Sequence, residues 1–532
     1  MKNISDDDFR DILNEESYLV KEFLQYEKLV KRYSDVIKDF FLSHPESAEL
    51  LLSIYEIEED NPEEKSFLPK CLTIEDKETI INNYLESSKV NPNYLPIIQN
   101  ARNKKNEFAL SDKTRLKAFR LYQNENDKFF EEAEVTSHVV SVSFPENAQK
   151  IKDGRIKDGF IAEYSYSLDF IKANNNPHAL FENFFYLFEY LDNQRRISLV
   201  SKKSSLEGFE RYIGLHSKSE YIQNLSFRLS EMTSQIQIEA YMQVLENMGI
   251  SLESVLQNVY SVVFHEKYGY DENVYLNMPI STSFFEKVRA LVPEFEFILK
   301  QYKLFVEDGS IDFELLKMSS SPTSVKDIPS LNQDKYIYLN YKDSELENIM
   351  NLFFSDQTLL GYVEPYKEKH YHTFFDVLSN EEVAFDKYKE HQKPKLEYLV
   401  DKNYIYVDVN GNIQFVNPIR VKILYDLYQN EVGAFYWYDK PFQEEAKIMQ
   451  SENLVYFEST LFSKPEQDYF NFHLNKSEFT NGHDLRNKYV HGTQKKPEEI
   501  DAHKDAYHTI LKLIVLALLK MEDDLIIHKL LS

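Results

Sequence analysis

The strongest constraint on this chain is the helix written into residues 498–530. It starts just after Pro497, and Ala502, Ala506, Ile510, Leu513, Ile514 and Ala517 recur at i, i+3 and i+4 spacing. An apolar stripe of that length holds together only against other helices, so the chain must supply a bundle around it. Its most apolar stretch, Ile510 to Leu519, contains Lys512. That stretch is far shorter than the roughly 20 residues of a membrane span and reads as a core helix. Two more helices are predicted just ahead of it, over 465–474 and 479–490.

Upstream, apolar periodicity predicts a helical region over 1–130, with Val20, Phe23, Leu24 and Leu29 on one face. The acidic run Glu58-Glu59-Asp60-Asn61-Pro62-Glu63-Glu64 reads as a solvated loop. A mixed α/β region follows over 131–325, a candidate sensor, with strands predicted at 135–144 and 160–167. Helices are predicted at 179–191, 235–247 and 252–264, Gly249 standing where a helix end wants it. Phe181, Phe184, Phe185 and Phe188 recur at helical spacing and read as core. Residues 318–333 are rich in turn formers and read as a linker.

The next region, 334–440, is α+β: a strand over 336–339, a helix over 344–354, and a unit near 395–430. In that unit two strands flank Val409-Asn410-Gly411-Asn412 as a hairpin, and Pro418 opens a helix, an outline that resembles a winged helix. Residues 441–532 form the C-terminal helical bundle. The fold class expected is therefore mainly α, α+β overall, and multi-domain, as 532 residues also imply.

Composition narrows the functions. Only 12 glycines occur, and neither G-x-G-x-x-G nor G-x-x-x-x-G-K-[ST] is present, which disfavours dinucleotide and P-loop enzymes. The single cysteine, Cys71, excludes an intrachain disulfide framework and a cysteine-rich zinc site. The first residues lack the apolar core of a secretory signal, so a cytoplasmic protein without a membrane partner is expected. The net charge of −27 argues against a nucleic-acid partner for the chain as a whole. Residues 463–532 differ: they carry 10 Lys and Arg against 11 Asp and Glu, and 6 of the 14 histidines.

Within that segment lies Asp484-Leu485-Arg486-Asn487-Lys488-Tyr489-Val490-His491-Gly492. Arg486 and His491 stand five apart at the end of a predicted helix, with Gly492 as the stop. Five steps leave their side chains about 140° apart on a regular helix. They converge only if the last turn unwinds or if two chains share the site. A histidine moves protons near neutral pH, and a permanently charged arginine holds a phosphate. Together they suit metal-free RNA cleavage by the ribose 2′-OH. A second pair of the same spacing, Arg211 and His216, is interrupted by Gly214 and has no long helix after it.

Arg486-Asn487-x-x-x-His491, with a helix before it and a long helix after it, resembles the R-x4–6-H signature of the HEPN ribonucleases. The resemblance covers only the last 90 or so residues. It implies a helical bundle that dimerises so that both motifs line one cleft, and an endoribonuclease that uses no cofactor and no metal. Arg486 would bind the scissile phosphate, His491 would act as general acid/base and Asn487 would orient the RNA or the histidine. Lys488 and Tyr489 are candidate secondary RNA contacts, with Tyr489 read first as a core residue. The resemblance further implies a bacterial antiphage, abortive-infection or toxin effector, a homodimer released by a phage-derived or cellular trigger. The alternative is a silent HEPN-like dimerisation or adaptor module whose winged-helix-like unit binds a partner or DNA. A third reading places a metal at His370 and His372, with His391 further on.

Overall fold

Local rules account for many of the helix starts. Thr73 and Asp76 form a reciprocal capping box that opens Ile74–Glu86. Asn224 caps Leu225–Asn247, and Asn417 caps Pro418–Asn430, with proline in its first turn. The computed structural model describes residues 4–57, 65–132, 139–157, 161–206, 215–279, 281, 283–318, 323–340, 344–492 and 494–532, the side chains of 129–132, 157 and 491 excepted. The acidic run 58–64 and Arg211 lie outside the described residues.

The chain is mainly helical with small sheets. It forms two units. The first comprises 1–137, 207–222 and 471–484; the second comprises 138–206, 223–470 and 485–532. The first unit is built of helices from Asp6–Glu15 to Asp112–Glu132 around Leu13, Phe41, Leu52, Ile81, Ile98 and Phe108, all buried. Helix 479–490 of the sequence prediction is shorter here, because only Leu485–His491 is helical. Gly482 lies where a Cβ would stand 2.8 Å from the Phe472 carbonyl oxygen, and Asp484 takes a left-handed φ of 59°, so the chain turns before the helix can begin.

In the second unit a three-stranded sheet has the order Val139–Ser143, Ile161–Tyr166, Lys152–Lys157, its first pair parallel and its second antiparallel. The middle-positioned Ile161–Tyr166 matches the predicted strand, while Lys152–Lys157 was not predicted. A second sheet sets Tyr336–Leu339 between Gly433–Ala434 and Val455–Glu458. The helix Ser344–Phe354 and the hairpin Ile405–Val407 with Ile413–Phe415 form where expected. The predicted linker packs instead: Val325, Ile328 and Asn332 are buried. Gly249 ends its helix at a φ of 75°. Its successor, predicted as one helix over 252–264, passes through a π-helical turn at Val259–Val263.

The terminal helix Ile500–Leu531 departs most from its sequence reading. Every residue from Ile510 to Leu525 is buried, so the single apolar stripe gives way to burial on all faces. Leu225–Asn247 and Phe284–Asp308 pack against it and complete the bundle from upstream sequence. Among the described residues no helix is long and apolar enough to cross a membrane.

Candidate functional site

Two buried side chains seat the motif helix. Leu485 and Tyr489, four apart and so on one face, are turned inward, and the helix packs on Phe284–Asp308. The Tyr489 ring meets Phe285 at 6.4 Å between centroids, and its hydroxyl lies 2.7 Å from Nδ1 of buried His503. His503 Nε2 lies 2.9 Å from the Lys496 carbonyl oxygen. A carbonyl only accepts, so Nε2 donates, and Nδ1 is left to accept the hydrogen bond of the Tyr489 hydroxyl. Burial pushes the Tyr489 hydroxyl up to about 12. Tyr489 therefore serves the packing of the helix, and it does not present a face on which RNA could stack.

That anchoring turns Arg486 partly outward. Its side chain is 37% exposed, and Nη2 lies 3.3 Å from Glu296 Oε2. Glu296 also pairs with Lys300 at 3.2 Å and accepts the Thr323 amide at 3.1 Å. Asn487 is half-buried and Lys488 is exposed. The helix stays regular through His491, and Gly492 stops it at a φ of 79°. The Arg486 and His491 positions thus keep their separation of about 140° around the helix axis. The side chain of His491 lies outside the described residues.

The terminal helix, which meets the motif helix through His503, buries five charged residues further along. Lys512 lies 2.9 Å from Glu231 and 3.1 Å from Ser234 Oγ. Lys520 lies 3.0 Å from Glu466 and 2.7 Å from the Arg195 carbonyl oxygen. Asp523 and Asp524 share Lys335 at 3.1 and 2.9 Å. Asp524 also accepts from Tyr302, Ser330, Leu331 and Asn332, and Asp523 accepts from the indole of Trp437. Burial opposes the charge on Asp524, but Lys335 and these donors hold its carboxyl below the ordinary range. This is the scaffold that fixes the terminal helix.

The fifth residue, Glu522, meets His178 and Glu182, whose ligand atoms together with its own lie within 4.8 Å of one another. It is the one such grouping of three among the described residues. His178 and Glu182 are i, i+4 neighbours on Pro177–Tyr186, inside a run that reads as core, and Glu522 comes from the other end of the chain. His370, His372 and His391 are all exposed and form no such grouping.

In the first unit the segment 99–124 carries seven Lys and Arg against two Asp and Glu. Arg102, Arg115 and Lys476 line a cavity of about 630 Å³ there. No known protein family, no curated protein and no solved structure gives a match to the chain.

Proposed function

We propose that the chain is a metal-independent endoribonuclease of the HEPN type, acting in bacterial antiphage defence or as a toxin in the cytoplasm. Arg486 binds the scissile phosphate, His491 moves the proton of the 2′-OH and of the leaving oxygen, and Asn487 orients them. The observation that carries this reading is the placement of Arg486. It stands partly exposed on a helix that runs to His491, stops at Gly492, and is followed by a long buried helix. Regularity through His491 favours a cleft shared by two chains, since C2 pairing brings an arginine of one copy to a histidine of the other. Lys488, exposed on the same helix, contacts the RNA backbone in this reading.

The test incubates purified protein with total RNA and tRNA in EDTA, comparing wild type with Arg486→Ala and His491→Ala. Cleavage that leaves 2′,3′-cyclic phosphate ends and vanishes in both variants is expected. Cleavage that persists in either variant overturns the assignment of that residue. A second reading, the silent dimerisation module, draws on the Glu296 ion pair, which gives Arg486 a structural partner. It predicts intact RNA with the wild-type protein and with Glu296→Gln alike.

A further inference from the structure

We propose that His178, Glu182 and Glu522 form a binding site for a first-row divalent cation, with zinc and manganese as the fitting ions. The helical i, i+4 spacing places His178 and Glu182 on one face, and the terminal helix brings Glu522 to it. Ligand atoms already gathered within 4.8 Å need side-chain shifts of only about 1 Å to reach bonds of about 2.0–2.2 Å to one ion.

The second observation is an unsatisfied atom. Glu522 is fully buried, and its Oε1 accepts from the Tyr268 hydroxyl at 2.8 Å and meets His178 Nε2 at 2.6 Å. Its Oε2 is buried as well and receives no hydrogen bond from an amide, ammonium or hydroxyl donor; the group that shares a hydrogen bond with this carboxylate is the facing Glu182. A buried carboxylate oxygen answered only by another carboxyl group is an arrangement folded proteins rarely keep unless something else meets the pair.

The donor set selects the ion. One imidazole nitrogen and two carboxylates suit zinc or manganese; calcium takes six to eight oxygens, and copper(I) prefers sulfur. The Tyr268 hydroxyl would orient Glu522 from outside the ligand set. His178 is 21% exposed, which gives solvent a route in. One cation competes for the site. The Lys267 ammonium lies 3.3 Å from His178 Nε2, but Lys267 is exposed and its stem can swing away. Arg195, whose guanidinium stacks 3.9 Å over Phe185, is a positive charge that acts on Glu182.

The site is separate from the nuclease reading, because its readout is bound metal and not RNA cleavage. The full chain is stripped with EDTA, dialysed into chelator-free buffer and titrated with zinc and with manganese by calorimetry. Its metal content is measured by mass spectrometry as well. About one equivalent per chain is expected, with binding weakened at least tenfold in Glu182→Gln and His178→Ala. Lys267→Ala should tighten it. Glu182→Gln keeps the shape of the side chain, and circular dichroism confirms that each variant is folded. No saturable binding to wild type overturns the proposal, leaving a shared proton and Lys267 to neutralise the cluster. Binding that is equal in wild type and Glu182→Gln overturns it too, by placing the ion elsewhere.

Discussion

Replacing Lys335 by methionine tests the charge network that fixes the terminal helix. Lys335 is 2% exposed in its side chain and lies 2.9 Å from Asp524 and 3.1 Å from Asp523. Without it, Asp523, Asp524 and Glu466 remain buried, and Lys520 is the ammonium that still contacts Glu466 and Asp523. Breaking a buried pair from one side costs about 3–5 kcal/mol. The same logic gives back most of that loss in Lys335→Met/Asp524→Leu, where both charges go. The sole tryptophan, Trp437, donates to Asp523 and so reports on this network. Urea unfolding followed by its fluorescence is therefore the assay. The pH dependence has a definite sign. Lys335 is raised and Asp524 lowered in the folded state by their mutual attraction, against burial, which opposes both charges. Their contribution is complete between about pH 4 and 10, and it falls away below and above those limits. In Lys335→Met the uncompensated carboxylates take up protons more readily, so the gap to wild type narrows as pH falls from 8 to 5. A loss below about 1 kcal/mol, or a gap that widens on acidification, refutes the reasoning.

Two further substitutions probe the neighbourhood of the motif. Glu296→Gln frees Arg486 from a partly exposed ion pair worth about 0.2–1 kcal/mol, so RNA cleavage at low salt should rise by up to roughly fivefold. The gain should shrink as salt is added and be absent in an Arg486→Ala background, and a slower Glu296→Gln enzyme would show that Glu296 assists the site and does not restrain it. Gly482→Ala sets a methyl 2.8 Å from the Phe472 carbonyl oxygen and 2.9 Å from that of Phe479. It should destabilise the first unit by about 1–3 kcal/mol in thermal denaturation, and an unchanged midpoint would mean that the turn relaxes freely.

Local chemistry was legible in the sequence wherever neighbours in the chain are neighbours in space. Ser344–Phe354 could be read from periodicity, the hairpin from Asn410-Gly411, and the ends at Gly249 and Gly492 from the need for positive φ. Strand Lys152–Lys157 could not. Its Lys-Asp-Gly-Arg start looks like a turn, and it is a strand because Ile161–Tyr166 offers it a ladder. The terminal helix shows the same limit at larger scale. Read alone, Lys520, Glu522, Asp523 and Asp524 belong to a solvated end, yet Lys335, Glu466 and His178 reach them from far upstream and make burial possible. Among the site residues, the spacing of Arg486 and His491 could be read directly. The Glu296 partner of Arg486 and the joining of His178 and Glu182 to Glu522 are tertiary facts without a local signal.

The buried charges of the terminal helix also set an order of events during synthesis. Lys335 and Asp524 are 189 residues apart. A ribosome adding about 5–20 residues per second needs roughly 10–40 s to cover that distance. For that interval Lys335 and Glu231 are already made while the helix that answers their charges is not. The second unit therefore closes late, and Tyr489 gains its buried partner His503 only when the nascent chain has delivered the helix that follows it.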